Sequence, residues 1–259
     1  MKHDIRARIQ TALTQDYRRN PNNVMSAEDA MRFLEKIVEN GDPESYSRSR
    51  LVEIGKFVMR HGVRVIAPAC PDYTHHRGTY TFHGVRGGTS LLAQLQIEFL
   101  QQLGIEDVTI IYADVERFDA AIRDRFQIGE DAFLELIRQS RADTAIRIPS
   151  SWNVMLMSDL LPTMRENADA RMVCMLDDPA VHQRLVNETH TRVEMYRHIV
   201  PRATFDDMLV RTARTAAQYC ELGDFATKNG YVISNHVTTN LAWYDSVNAV
   251  VLRNPVRIY

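Results

Sequence analysis

Lysine is nearly missing from this chain: 4 Lys stand against 27 Arg in 259 residues. Arginine's planar fork suits carboxylate and phosphate, although a GC-rich genome produces the same bias. Net charge is only −2, so a nucleic-acid partner would have to meet a local basic patch rather than an overall field. Cysteine is scarce as well. Cys70, Cys174 and Cys220 are far apart and odd in number, which argues against a disulfide framework and predicts a reducing, cytoplasmic setting. No apolar run is long enough for a membrane-spanning helix. The opening MKHDIRARIQ lacks the apolar stretch of a secretion signal. No repeat, linker or low-complexity segment divides the chain. What is present, 45% hydrophobic and 25% charged residues, is enough for one α/β domain with a large core.

The chain is organised around residues 63–90, VRVIAPACPDYTHHRGTYTFHGVRGGTS. Val63, Val65, Ile66 and Ala67 form a short apolar run of the kind found in a parallel strand covered on both faces. Pro68 and Pro71 cannot donate to a central ladder, so the strand is expected to end there. A sharp turn follows, rich in reactive side chains, and then Gly-Gly-Thr-Ser enters the helix SLLAQLQIEFLQQLG. Thr89 or Ser90 is the expected N-cap and Gly104 the stop. A second apolar strand, Val108 to Tyr112, runs on toward Asp114. Strand, loop, helix and strand make a right-handed βαβ unit, and ligands in open α/β sheets bind at the carboxyl ends of such strands.

The first sixty residues read as helices that form a layer over residues 1–62. Ile5, Ile9 and Leu13 recur at helical spacing, Ser26 with Asp29 resembles a capping box, and a third helix runs from about Glu44 to Arg60. Beyond Asp114, helices are expected near 116–126, 131–139 and 151–166, with a third strand at Ala142–Ile148. Residues 171–176 are ambiguous between strand and helix. Asp178-Pro179 starts a helix toward Ile199, Thr204 with Asp206 and Asp207 starts another, and Asn229-Gly230 turns into a strand at Tyr231–His236. A last strand covers Ala249–Leu252. The predicted architecture is a Rossmann-like parallel sheet sandwiched by helices, a single domain with residues 63–259 as its core.

Cys70, at a strand end, is a candidate nucleophile whose pKa His75, His76, Arg77 or a helix N-terminus would lower. Cysteine is also among the most buried residue types, and both readings stay open. Cys70, Asp72, His75, His76 and His83 are alternatively zinc donors, but their spacing matches no ligand motif and no metal is expected. Gly84, Gly87, Gly88, Thr89 and Ser90 offer a weak anion cradle. Arg184, Arg192, Arg197, Arg202, Arg211 and Arg214 form either a basic RNA-binding surface or, with the interleaved Glu188, Glu194, Asp206 and Asp207, a salt-bridged face.

Two segments carry a resemblance. VRVIAPACPDY resembles the nucleophile-bearing segment of cyclodipeptide synthases, an apolar strand followed by Ser-Pro, a polar residue and an aromatic. Cys70-Pro71 stands where that family has Ser-Pro, and Tyr73 falls near the aromatic. YVISNHV resembles the family's late strand, with Tyr231 at its Tyr and Asn235 where it has Glu. The resemblance covers roughly residues 63–259, and it departs from the pattern at Cys70 and Asn235. It implies a fold akin to class I aminoacyl-tRNA synthetases and an enzyme that joins aminoacyl groups from charged tRNAs into a cyclic dipeptide, without ATP or other cofactor, in natural product biosynthesis. Cys70 would hold the first aminoacyl group as a thioester, Tyr231 would position its amino group and relay a proton, and Asn235 would accept from the ammonium without supplying Glu's charge. His236, His75 or Asp72 would take acid–base work. Tyr73, Gly87, Gly88, Asp114 and Tyr244 complete the expected substrate-binding set, and Arg184, Arg192, Arg197, Arg211 and Arg214 the tRNA surface. The expected assembly is a monomer or homodimer. A nucleotide-binding enzyme of the adenylyl-transfer type and a metal-assisted hydrolase built on Cys70, His75, His76 and His83 are the alternatives.

Overall fold

The computed structural model describes residues 3–20, 22–41, 46–70, 72–76, 79–115, 127–196, 204–235 and 241–253. Three helices come first: α1 (His3–Arg19), α2 (Ala27–Asn40) and α3 (Arg48–His61). Then follow β1 (Arg64–Ala69), β2 (Asp72–His76), β3 (Thr79–Arg86), α4 (Leu91–Gln102) and β4 (Asp107–Tyr112). The next elements are α5 (Glu130–Ala145), β5 (Asn153–Leu156), the single turn α6 (Met157–Leu160), α7 (Met164–Asp177) and α8 (Pro179–Tyr196). The last are α9 (Phe205–Asn229), β6 (Val232–Asn235), α10 (Leu241–Ser246) and β7 (Val251–Arg253).

Five strands form one parallel sheet in the order β5-β4-β1-β6-β7. Leaving out the β2–β3 hairpin, the chain therefore builds outward from a central β1, first to one side and then to the other. This is the Rossmann-like order, with its topological switch between β1 and β6. Strand alternation divides the core in two. Val65, Ala67, Ala69, Val108, Ile110, Tyr112 and Val232 pack with α1–α5 on one face. Ile66, Ile111, Ile233 and Val251 pack with α6–α10 on the other. Helices α1–α3 bury Ile9, Leu13, Met31, Leu34, Ile54 and Val58 in the first of these clusters, so they cover the sheet itself. Gly55 allows their close crossing, because a Cβ there would stand 2.7 Å from Leu13.

Local chemistry explains most of the ends. Ser26, Ser47 and Ser90 each accept the backbone N–H three residues on, and Thr204 forms a capping box with Asp207. Asp178 accepts from the N–H groups of Ala180 and Val181 ahead of Pro179. Gly230 closes α9 in the left-handed region, at φ 73°.

The structure departs from the sequence reading in four places. β1 does not end at Pro68 but runs through it to Ala69, paired with β4 along its whole length. The segment after Cys70 is an antiparallel hairpin, β2–β3, with Tyr73 opposite Val85 and His75 opposite Phe82. Residues 142–145 belong to α5, because Phe133, Ile137, Ser140 and Thr144 form one buried helical stripe. The third strand is instead β5, inside the stretch read as a helix at 151–166. Residues 171–176 are helical, within α7. The expected helix at 116–126 and the tail after Arg253 lie outside the described residues.

Candidate functional site

Cys70 follows β1 immediately and is exposed. It therefore stands at the carboxyl edge of the central strand, beside the switch where the connections leave toward opposite faces. Asn235, the last residue of β6, is 7% exposed. Continuing the register Ile66↔Ile233 sets it level with Pro68, close below Cys70.

Two phenols lie near the same edge. Tyr112 ends β4 and is fully buried, and burial pushes its pKa up to about 12, with the charge of Cys70 among the lesser causes. Tyr244 is fully buried on α10, with its ring edge-on to Tyr219 at 5.2 Å. Its pKa is pushed well above the usual phenol range, first by burial and then by the charges of Tyr219, Cys220 and Cys70. Its hydroxyl has no hydrogen-bond partner among the described residues. Both groups stay neutral near pH 7, able to donate but not to act as a base.

From Tyr112 a chain of hydroxyls leads to a carboxylate. Tyr112 Oη lies 2.7 Å from Thr144 Oγ1, and Thr144 Oγ1 lies 2.7 Å from Thr89 Oγ1. Thr89 Oγ1 donates to Asp143 Oδ2 at 2.7 Å, and the Thr89 N–H donates to the same oxygen at 2.9 Å. An ionised carboxylate only accepts, so the direction of the chain follows: Tyr112 to Thr144 to Thr89 to Asp143. The Arg147 side chain, then the Thr89 hydroxyl and amide, hold the Asp143 carboxyl down at about 2.

This arrangement closes the expected anion cradle. The Gly88 N–H donates to Ser140 Oγ at 3.0 Å, and the Thr89 N–H is held by Asp143. A Cβ on Gly87 would stand 2.2 Å from the Gln139 side chain, so this glycine admits α5 rather than a ligand. A phosphate here would meet a carboxylate that is ionised at any physiological pH.

The structure brings some of the expected residues together and separates others. Asp114 is fully buried, and its Oδ1 accepts from the Ser158 N–H at 2.9 Å, tying the end of β4 to α6. Tyr231 is not at the site. It precedes β6 at the amino edge, separated from Cys70 by the length of β1, roughly 20 Å at the usual strand rise. There its hydroxyl accepts from Arg64 Nη2 at 2.6 Å while the same guanidinium lies over its ring at 4.1 Å. Asp72, Tyr73 and His75 lie on β2, whose backbone alone is described. His236 lies outside the described residues, as do Arg197 and Arg202.

The arginines of α8 and α9 are not an open basic stripe. Arg192 pairs with Glu188 at 2.6 Å, and Arg214 pairs with Asp169 at 3.0 Å. Arg184 lies over the Trp243 ring at 3.9 Å, while the Trp243 indole N–H donates to Glu188 at 2.8 Å. Arg211 is partly buried on α9. Of the carboxylates expected to pair with these arginines, Glu188 does so, while Asp207 caps α9. Among the described residues no three His, Cys, Asp or Glu side chains come together as a metal site, and no helix is long and apolar enough to cross a membrane.

Sequence reasoning missed Tyr112, Thr144, Asp143 and Gln96. Polar residues inside apolar helical stripes were the available signal: Ser140 and Thr144 on α5, and Gln96 beside Ala93, Ile97 and Leu100 on α4. Compared with known proteins, the chain matches no family model, no curated protein and no solved structure.

Proposed function

We propose that the chain is an acyl-transfer enzyme in which Cys70 accepts an aminoacyl group from a charged tRNA and passes it to an amine, as the resemblance to cyclodipeptide synthases implies. The observation that carries this reading is the place of Cys70: an exposed thiol at the carboxyl end of the central strand, beside the switch point. In the first step the thiolate attacks the ester carbonyl, the carbon–oxygen bond to the ribose breaks, and that oxygen takes a proton. In the second an amine attacks the thioester, loses a proton, and the thiolate leaves. A second aminoacyl ester supplies that amine and its own carbonyl, so that a repeated attack closes the ring.

The occupied loop at 87–89 supports ester chemistry over adenylyl transfer. Enzymes of this strand order that handle phosphates set them on the helix following the central strand, and here Asp143 already holds that loop. Tyr231 has no part in this mechanism; of the described residues of the second resembling motif, Asn235 is the one at the carboxyl edge.

Intact-protein mass spectrometry after mixing with a full pool of charged tRNAs tests the reading. The expected result is a mass gain of one aminoacyl group that is absent in Cys70→Ala. An adduct that persists in Cys70→Ala, or neither adduct nor dipeptide with the native protein, overturns it.

A further inference from the structure

The ladder between β1 and β6 carries a defect at the switch point. In a parallel strand the N–H and C=O of one residue point to the same neighbour, and successive residues alternate between the two neighbours. Ala69 faces β4, because its carbonyl accepts from the Ala113 N–H at 3.0 Å. Pro68 therefore faces β6. On β6, Ile233 faces β7, since its N–H donates to the Val250 carbonyl at 2.8 Å, so Ser234 faces β1. With Ile66 opposite Ile233, the ladder donor for the Ser234 carbonyl would be the N–H of residue 68. Proline has none. The Gln96 side chain fills the role: its Nε2 donates to the Ser234 carbonyl at 2.9 Å from a residue only 2% exposed.

We infer that Gln96 is a positioning residue for the Cys70 strand, its side-chain amide standing in for the backbone N–H that Pro68 lacks. Pairing of β1 with β4 covers all six residues of β1, whereas the described pairing with β6 covers only Val65 and Ile66. The end of β1 that bears Cys70 is thus secured from the β4 side. On the β6 side the described ladder reaches only Ile66 and Ile233, and the buried carbonyl of Ser234 is served from α4. The inference rests on the proposed function only in taking Cys70 as the working residue. It gives β1 and β6 separate supports where a ligand would enter between them.

The test is a cycle of Pro68→Ala, Gln96→Leu and the double variant, built on Cys174→Ser so that Cys70 is the only exposed thiol among the described cysteines. Two quantities are read: the urea unfolding midpoint and the rate at which iodoacetamide alkylates Cys70. Gln96→Leu alone is expected to lower the midpoint by roughly 0.5 M and to change the alkylation rate several-fold. In the Pro68→Ala background the new amide serves the carbonyl, so Gln96→Leu is expected to lose most of its effect on both. If Gln96→Leu alone does not fold, a folded double variant is the same rescue, and a double variant that also fails overturns the inference. Equal effects of Gln96→Leu in both backgrounds overturn it as well. None of these readings uses charged tRNA, so failure here and failure of the aminoacyl-transfer reading remain distinct.

Discussion

The two edges of the sheet are built in opposite ways. At the amino edge Arg64 joins three strands' entries: its Nε donates to Asp107 at 3.0 Å, its Nη1 to the Asn229 carbonyl at 3.2 Å and its Nη2 to Tyr231. Tyr231 is further stacked on Phe225. Arg64, Asp107, Asn229 and Tyr231 thus each have a polar partner within the fold. At the carboxyl edge an exposed thiol, a phenol without a hydrogen-bond partner among the described residues and a ladder position that lacks its backbone donor come together. A closed edge and an open edge on one sheet teach that a reactive residue type is a weak guide until the edge that holds it is known. Tyr231 and Cys70 carry equal weight in the sequence and sit at opposite ends of neighbouring strands.

The comparison breaks most sharply by exchanging losses between the edges. Cys70→Ala should abolish aminoacyl transfer and leave the thermal midpoint unchanged. Tyr231→Phe should do the reverse, with transfer intact in the same mass assay and a stability loss of about 1 kcal/mol by urea unfolding, the ordinary net worth of one hydrogen bond. Transfer that collapses in Tyr231→Phe would remove the distinction between the edges. Within the open edge, Thr144→Val keeps the shape of the side chain but takes a partner from both Tyr112 and Thr89. A loss of about 1–3 kcal/mol is expected because those groups are buried, and an unchanged urea midpoint would show that the hydroxyl chain does not hold the edge together. The smallest effect is a pH dependence. The folded carboxyl of Asp143 titrates at about 2, below its ordinary 3.8. Its contribution is therefore complete above the ordinary value and fades as pH falls through that interval toward the folded one. Asp143→Asn should flatten this part of the acid limb in a pH series of thermal midpoints and leave the neutral region with a constant offset.

How legible all this was depended on the range of the interactions involved. The βαβ unit at 63–112 was readable because an apolar run, a cap and a helical stripe are written in contiguous residues. The caps at Ser26, Asp178, Thr204 and Gly230 were readable for the same reason. The exchange of helix and strand between 142 and 156 was not, because Asn153–Leu156 is too short to show a period and Thr144 looks β-prone until its helical neighbours Phe133 and Ile137 are seen buried with it. The hairpin at 72–86 was hidden by reading His and Asp as loop chemistry, although Thr79-Tyr-Thr-Phe alternates as a strand does. Cys70 was readable at a strand's carboxyl end because that end follows from the strand's direction, whereas Asn235 came from the resembling motif and the register sets it at the same edge. The edge that holds Tyr231 was lost because a residue at the start of a strand and one at its end look alike in a motif. The hydroxyl chain from Tyr112 to Asp143 joins three separate segments, and no local pattern announces it.

Pro68 also bears on how the protein is made. Every helix of the first face, together with β1, β4 and β5, precedes residue 157. A chain emerging amino-terminus first can therefore assemble that half-sheet before β6 exists. During that interval β1 is an outer strand, and its unpaired side would invite another nascent chain to add a strand of its own. A proline on that side removes one of the few amides such a strand could grip. The residue that leaves the Ser234 carbonyl to Gln96 in the finished protein thus also withholds an amide from strand addition on the way to it.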